Sequence, residues 1–155
     1  MNYKKITKSG KYNCVAGTYY PINPDKYTGD ADPRYKSRLE HKFMSFCDRN
    51  SIILKWSYER IIIPYVDESR NNTRHNYYID FKILMSTASG PKTFLVEIKS
   101  KQETISPVKT KRKKPETYQK EVQSWIRNQC KWKTATMVAK KQGWEFKVLT
   151  EDSLG

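Results

Sequence analysis

The first half of the chain shows apolar residues at helical spacing, followed by runs typical of strands. Over residues 34–48 an apolar stripe at helical spacing predicts a helix, and its members are Leu39, Phe43, Phe46 and Cys47. Asp32 and Pro33 precede it, as an N-cap aspartate and a proline at the first helical position. Residues 52–58 and 61–66 then predict two strands, and a polar loop covers residues 67–74.

The second half predicts a β-hairpin, a long helix and a last strand. The hairpin lies within residues 77–101 around the loop STASGP at 86–91. A helical pattern covers about residues 116–142, Gly143 is a typical helix end, and residues 144–149 predict a strand. Residues 150–154 predict a short helical turn. This order of elements is typical of a mixed α/β domain with helices flanking a central sheet.

Length and composition indicate one domain with an N-terminal extension. A chain of 155 residues can bury a single core. Residues 1–31 show no sustained period and predict an extended basic arm, which leaves residues 32–155 as the folded domain. No run approaches the roughly 18 apolar residues of a membrane span, and the basic N-terminus lacks the apolar core of a secretory signal. A soluble, intracellular protein is expected.

Cysteine and histidine usage argues against a structural zinc site. The chain has 3 cysteines and 2 histidines, with no Cys-x-x-Cys pair. The cysteines are expected to be reduced, and Cys47 on the apolar helical face is expected to pack in the core.

The charge is the strongest signal in the composition. A net charge of +14 and a pI near 9.7 favour a polyanionic partner. The alternatives are that the charge serves solubility or docks on an acidic protein. Nucleic acid is the favoured interpretation because 11 tyrosines and 4 tryptophans accompany the charge, although aromatic residues more often pack a core than stack on bases.

The hairpin carries candidate chemistry on its polar face. Alternation along the strands places Asp80 on one face and Ile79 and Phe81 on the other, and Glu97 likewise opposite Val96 and Ile98. A symmetric hairpin pairs position 84 with 93, and therefore Asp80 with Glu97. Directly opposed like charges destabilise a sheet. A divalent cation between them reverses that effect.

Asp80 and Glu97 are hard oxygen ligands of the kind that Mg²⁺ prefers, and Lys99 would place an ammonium beside the ion. Glu40 lies at the edge of the helical stripe and can either lean towards the sheet or extend to water. Glu-x-Lys occurs 3 times in the chain, at 40–42, 97–99 and 145–147, so this tripeptide alone indicates little. From the pattern alone, a metal site and an ordinary amphipathic hairpin stay equally open.

Asp80, Glu97-Ile98-Lys99 and the helix-borne Glu40 together resemble the PD-(D/E)xK nuclease core, with Ile79 where proline is usual. The chain is also similar to the head-completion nucleases of contractile-tailed bacteriophages. The stretches that carry this resemblance are PINPDKYTGD, YKSRLEHKF, IIIPYVDE, NYYIDFKI, FLVEIKSKQETISPVK and KWKTATMVAKKQGWEFKVLTEDSL, within residues 21–154.

The resemblance implies a restriction-endonuclease-like fold and a Mg²⁺-dependent nuclease that acts on packaged DNA and lets heads join tails. It implies Glu40, Asp80, Glu97 and Lys99 as catalytic residues. One or two Mg²⁺ ions, replaceable by Mn²⁺, would be held by Asp80, Glu97 and the Ile98 carbonyl, with Glu40 as a ligand directly or through water. The expected partners are double-stranded DNA and phage head, portal or neck proteins, without membrane or nucleotide cofactor. The expected location is the host cytoplasm during assembly, with retention in the virion also open.

The segment after the hairpin is expected to contact DNA phosphates. The predicted contacts are Lys101, Lys109, Lys111, Arg112, Lys113 and Lys114, and the alternative is a solvated loop. Lysines of the following helix are expected to contact phosphates as well. Gln119 and Gln123 are weaker candidates for the site, and His75 is expected to have a surface role. Two other functions stay open: a non-catalytic DNA-binding protein of the phage neck, and a transposase or restriction-type endonuclease, since transposon endonuclease subunits share the acidic pattern.

Overall fold

A four-stranded sheet forms the centre of the molecule. The computed structural model describes residues 4–7 and 13–154. In chain order its elements are β1 (Lys4–Thr7), β2 (Asn13–Thr18), β3 (Arg34–Tyr35), α1 (Arg38–Arg49), β4 (Ile53–Asp67), β5 (Thr73–Thr87), β6 (Gly90–Ile98), α2 (Pro115–Lys141), β7 (Glu145–Leu149) and α3 (Glu151–Leu154). Strands β4 to β7 form the central sheet in that order, and β1 to β3 form a separate small sheet.

The connections explain why the sheet is mixed. The pairs β4–β5 and β5–β6 are antiparallel, whereas β7 runs parallel to β6. A parallel neighbour needs a long crossover, and α2 supplies it between β6 and β7. The predicted mixed sheet with flanking helices is confirmed.

The sheet separates two apolar clusters. On one face, Phe43 and Met44 of α1 pack with Phe81, Phe94 and Val96. On the other face, a second cluster joins α2 to the sheet, its buried members being Ile63, Tyr65, Tyr77, Ile79, Leu95, Ala135 and Ala139. β6 is therefore covered on both faces, so its Glu97-bearing face is buried rather than solvated as an amphipathic hairpin would have it.

Helix α1 begins later than the sequence pattern predicts. Ser37 is the N-cap, and its hydroxyl accepts a hydrogen bond from the Glu40 backbone N–H at 3.1 Å. The predicted start at Asp32-Pro33 is wrong because this segment belongs to the small sheet: the Pro33 carbonyl accepts from the Tyr19 N–H, and Arg34 pairs with Thr18. A side-chain cap at Ser37 satisfies a helix donor that Asp32 cannot reach.

The two predicted strands at 52–58 and 61–66 are one strand. β4 is continuous, but its register with β5 shifts between Tyr58 and Ile61. Glu59 lies in this bulge with φ at 51°, a left-handed conformation that is uncommon outside glycine. The bulge separates the two apolar runs in sequence without ending the strand.

The hairpin confirms the predicted register. Leu84 pairs with Thr93, and the ladder continues to Phe81 and Val96. The paired ladder ends at Phe81–Val96, so the pairing of Asp80 with Glu97 stays a prediction. The predicted shared face of Ile79 and Phe81 is wrong: Ile79 packs in the cluster under α2 and Phe81 in the cluster under α1, because the register of β5 with β4 shifts between these two residues. Gly90, with φ at 101°, follows the two-residue turn, where a left-handed backbone favours glycine.

The last elements also match their predictions. α2 starts with proline at its first position and is followed by Gly143 with φ at 73°, and β7 and α3 follow at the predicted places. In the described part of the chain, no helix is long and apolar enough to cross a membrane.

Residues 19–28 pack on α1 and β4. The buried Asp48 carboxylate accepts hydrogen bonds from the Tyr19 hydroxyl at 2.6 Å and from the Ile22 and Asn23 backbone N–H groups at 2.7 and 2.9 Å. The buried Cys47 packs in the adjacent cluster, as predicted. The predicted division at residue 31 stays a prediction, and the arm's residues 1–3 and 8–12 lie outside the described residues.

Candidate active site

The carboxylates predicted from the hairpin lie at its open end, next to the first turn of α1. The Phe43 ring of α1 packs edge-on against Phe81 of β5, with centroids 4.7 Å apart. Glu40 lies one turn before Phe43, and Asp80 directly precedes Phe81. This packing brings the helix glutamate towards the strand aspartate, and the charge of Glu40 contributes to raising the pKa of Asp80.

Asp80 is held by the backbone of the neighbouring strand. Its Oδ2 accepts a hydrogen bond from the Ile98 N–H at 2.8 Å. Burial raises the pKa of Asp80 well above its usual value, the charge of Glu97 adds to this rise, and Lys99 partly offsets it. Removal from water and a like charge therefore both oppose ionisation of this carboxyl group.

Glu97 is 4% exposed and has two partners. Its Oε2 accepts a hydrogen bond from the Tyr77 hydroxyl at 2.5 Å, and its Oε1 lies 3.7 Å from Lys99 Nζ. Burial raises the pKa of Glu97, while the Tyr77 hydrogen bond and the Lys99 and Lys131 charges lower it. The net rise means that these partners do not fully compensate the burial.

Glu40 is also buried, at 7% exposure. Its Oε2 accepts hydrogen bonds from the Tyr58 hydroxyl at 3.1 Å and from the Lys36 backbone N–H. Burial raises its pKa, although the Lys36 N–H and the Tyr58 hydroxyl lower it. Glu40 is thus oriented from two sides beside the Asp80–Glu97 pair.

These residues fit a hydrated divalent cation better than an all-protein cage. No group of three or more His, Cys, Asp or Glu side chains in the described residues is placed to hold a metal ion together. Mg²⁺ is commonly bound through one or two carboxylates with water and phosphate as further ligands. The partly buried Asp80 and the buried Glu97 supply two hard oxygen ligands of that kind, and the direct role of Glu40 stays a prediction.

The predicted DNA-contacting residues lie in different surroundings. Lys109, Lys111, Arg112 and Lys114 are exposed. Lys113 is paired with Glu121 at 2.7 Å, and Lys101 is paired with Asp152 at 2.8 Å. DNA contact by these residues stays a prediction.

Among the described residues, the weaker candidates, Gln119, Gln123 and His75, form no recorded hydrogen bond with Glu40, Asp80 or Glu97. Gln119 and Gln123 are exposed on α2. His75 is partly buried, and its Nε2 lies 2.7 Å from the Thr73 hydroxyl.

Sequence reasoning did not identify the residues that hold the carboxylates in place. Tyr77 and Tyr58 donate to Glu97 and Glu40, and Lys131 of α2 lies near Glu97. Tyr58 is a strand residue before the bulge, and Lys131 is distant in sequence. Only Tyr77 carried a local signal, because it belongs to the same strand as Asp80.

Comparison with known proteins identifies the class. Residues 50–151 match the family model described as TnsA-like endonuclease N terminal, a range that contains Asp80, Glu97 and Lys99 and begins after Glu40. The chain belongs to this endonuclease family and is a nuclease with a restriction-endonuclease-like fold.

A curated relative narrows the comparison. The chain is 38% identical over 145 residues to the head completion nuclease of Enterobacteria phage T4, covering 90% of this chain and 93% of that relative. The predicted relationship to phage head-completion nucleases is thereby confirmed.

Proposed function

We propose that this protein is a Mg²⁺-dependent deoxyribonuclease that hydrolyses phosphodiester bonds of packaged phage DNA during head completion and head–tail joining. The observation that carries the chemistry is the partly buried Asp80 beside the buried Glu97, with the Lys99 ammonium 3.7 Å from Glu97. The similarity to the head completion nuclease of phage T4 supports the biological setting. Double-stranded DNA is the substrate, in keeping with the net charge of +14.

The metal would be held by Asp80, Glu97 and the Ile98 backbone carbonyl, with Glu40 as a ligand directly or through water. One or two Mg²⁺ ions are expected, and Mn²⁺ can substitute. When bound, the ion would lower the pKa of a water molecule and neutralise charge on the attacked phosphate. Asp80, Glu97, Ile98 and Lys99 therefore form a PD-(D/E)xK-type site.

The protein's own groups supply positioning and charge. The Ile98 N–H and the Tyr77 hydroxyl fix the orientation of Asp80 and Glu97 before substrate arrives. Lys99, the residue directly after β6, orients the attacking water or stabilises negative charge that develops on the phosphate. Because these donors are already in place, the site needs little rearrangement on binding.

The proposed contacts with DNA and with assembly partners include surfaces outside the active site. The exposed basic segment at 109–114, together with Lys101, would contact backbone phosphates outside the site. Phage head, portal or neck proteins are the proposed partners. The host cytoplasm is the proposed location, and assay of purified particles would test whether the protein is retained in the virion.

The chain provides its own matched control for the active-site test. Glu145-Phe146-Lys147 repeats the Glu-x-Lys spacing on β7, but Glu145 pairs with Lys92 on the surface at 2.8 Å. The purified protein and its Glu97→Ala, Lys99→Ala, Glu145→Ala and Lys147→Ala variants would be incubated with linear and supercoiled DNA, with Mg²⁺ or EDTA. We expect cleavage with Mg²⁺ only, and a loss of roughly 100-fold or more in the first two variants.

The outcomes separate the proposal from its competitors. Cleavage in EDTA, or cleavage that persists in Glu97→Ala and Lys99→Ala, would place the active centre elsewhere. Tight binding without cleavage by the wild type would favour a non-catalytic neck protein. The TnsA-like match favours a transposase-type subunit as second candidate, and cutting confined to one defined sequence in unrelated DNA would support that candidate instead.

A further inference from the structure

Beside the candidate active site, cationic side chains follow one another along the sheet face that α2 covers. This group, the α2 cation row, consists of Lys99, Lys131, Arg70 and Arg127. Its members come from the end of β6, from α2 and from the turn after β4. The sequence named only Lys99 among them, and it predicted phosphate contact for the lysines of α2 as a group, which includes Lys131.

Tyrosine rings connect the row to the catalytic carboxylate. Lys131 Nζ lies 5.3 Å from the centroid of the Tyr77 ring and 5.9 Å from that of Tyr65. The Tyr77 hydroxyl donates to Glu97, whose other oxygen lies beside Lys99. The Lys131 ammonium is therefore one ring away from the carboxylate that Lys99 contacts.

The far end of the row is built on a buried acid. The fully buried Asp67 accepts from Arg70 Nε at 2.6 Å and from Arg127 Nε at 3.0 Å through the same oxygen, Oδ2. Arg70 Nη2 also approaches the Tyr65 hydroxyl at 3.4 Å. The side chains of Arg70 and Arg127 are 45% and 31% exposed, so parts of both guanidinium groups stay accessible to a ligand.

The central member, Lys131, lacks a matching acid. Within the described residues, no carboxylate lies within ion-pairing distance of its ammonium. Burial lowers the pKa of Lys131, and the charges of Lys99, Arg127 and Arg70 lower it further, while Glu97 only partly compensates. Keeping a half-buried lysine among three other cations costs stability, and an anionic ligand would reverse that cost.

We propose that the α2 cation row binds consecutive backbone phosphates of double-stranded DNA, with Lys131 as the central contact next to the scissile phosphate at Lys99. The inference rests on the proposed function for the position of the scissile bond. Continuity with Lys99 favours DNA over an acidic protein, because the row begins at the reacting group. Arginine and lysine contacts to phosphate fix the position of a duplex without reading its sequence.

Lys133 is the matched control for Lys131. It is exposed on the same helix and lines a different surface with Pro64 and Met137. Binding of a fluorescent duplex would be measured by anisotropy across a salt series with Ca²⁺ replacing Mg²⁺, for wild type, Lys131→Met, Lys131→Arg and Lys133→Met. We expect Lys131→Met to weaken binding about tenfold and to reduce the salt slope by about one. Lys131→Arg should keep most of the affinity, and Lys133→Met should bind like wild type.

The free energy of unfolding distinguishes a DNA-binding lysine from a lysine that only supports the fold. Removal of a repelled, half-buried charge should leave the urea midpoint of Lys131→Met unchanged or raised while DNA binding falls. The proposal is overturned if Lys131→Met binds DNA like wild type, or if it is destabilised and Lys131→Arg fails to restore binding. Binding of a polyaspartate peptide would be measured in parallel. If Lys131→Met bound this peptide more weakly than the wild type but bound the duplex equally well, the proposal would be overturned in favour of an acidic protein partner.

The binding measurements and the Mg²⁺ cleavage assay together separate this proposal from the nuclease proposal. If the wild type binds DNA through Lys131 but never cleaves it, the α2 cation row stands and the proposed activity fails. If the wild type cleaves DNA and Lys131→Met retains wild-type affinity and salt slope, the activity stands and the row fails.

Discussion

At the scale of single residues, the candidate site holds carboxylates in surroundings that destabilise their charged forms. Asp80 is partly buried and lies close to the charge of Glu97, while the Ile98 N–H and the charges of Lys99 and Lys36 favour its ionised form. Natural active sites commonly hold such unfavourable groups, and their replacement then stabilises the fold while abolishing function. Asp80 is therefore where stability and activity should separate.

Asp80→Asn should raise the free energy of unfolding of the metal-free protein by about 1 kcal/mol and abolish cleavage. The amide oxygen can keep the Ile98 hydrogen bond without the charge. Since the pKa of Asp80 is raised in the folded state, folded wild type binds a proton at Asp80 more readily than unfolded wild type does. The free energy of unfolding of the wild type should therefore approach that of Asp80→Asn as pH falls.

Urea unfolding in EDTA at several pH values measures this difference. Asp152→Asn, which alters an exposed carboxylate paired with Lys101, is the control and should leave the stability nearly unchanged. A less stable Asp80→Asn protein would show that Asp80 supports the fold instead of a ligand.

At the level of elements, the start of α1 determines where Glu40 lies. Ser37-Arg38-Leu39-Glu40 carries the Ser-x-x-Glu spacing of a capping box, which the stronger-looking Asp32-Pro33 signal obscured. In the structure, the Glu40 side chain accepts a hydrogen bond from the Lys36 N–H rather than from the Ser37 N–H. The backbone N–H of Glu40 donates to the Ser37 hydroxyl, which is the helix cap. One residue thus joins helix capping to the candidate site.

Ser37→Ala should lower the free energy of unfolding by about 1 kcal/mol, because the Glu40 N–H loses its acceptor. Asp32→Ala should have little effect, since Asp32 is exposed outside the helix. Chemical denaturation of both variants compares the two candidate caps directly. A larger loss in Asp32→Ala than in Ser37→Ala would contradict the helix start seen here.

At the level of the whole molecule, Asp67 joins α2 to the end of β4. It receives hydrogen bonds from the Ser69 N–H and hydroxyl, from Arg70 and from Arg127 across 60 residues of chain. Despite burial, these partners hold the pKa of Asp67 well below its usual value. Its ionised form therefore stabilises the docking of α2 on the sheet.

Asp67→Asn should lower the free energy of unfolding at pH 7 by about 2–3 kcal/mol, because two arginines lose their counterion. A depressed folded pKa contributes stability above the unfolded pKa, which is about 3.9, and this contribution is lost as pH falls towards the folded pKa. The gap between wild type and variant should therefore narrow between about pH 5 and pH 3.

Urea unfolding at a series of pH values tests this, with Glu68→Gln as the exposed neighbouring control. A gap that stays constant down to about pH 3 would mean that the charge of Asp67 does not hold α2.

Local pattern alone determined much of this protein. Helical and alternating periods located α2, the hairpin and β7. The symmetry of the hairpin was enough to predict its register from Thr87–Gly90 to Phe81–Val96, because strand register follows from a short turn. The bulge in β4 was missed because a single left-handed residue, Glu59, interrupts the alternation without ending the strand.

Only the tertiary structure decided what surrounds those carboxylates. α2 covers the Glu97 face, which converts a face that looks solvated in sequence into a buried one. Tyr77, Tyr58 and Lys131 reach the carboxylates through packing between distant segments, and such contacts leave no period in the sequence. The sequence placed Asp80 and Glu97 on neighbouring strands, and the packing of helices on the sheet decided how far each is buried, how it is oriented and which cations lie beside it.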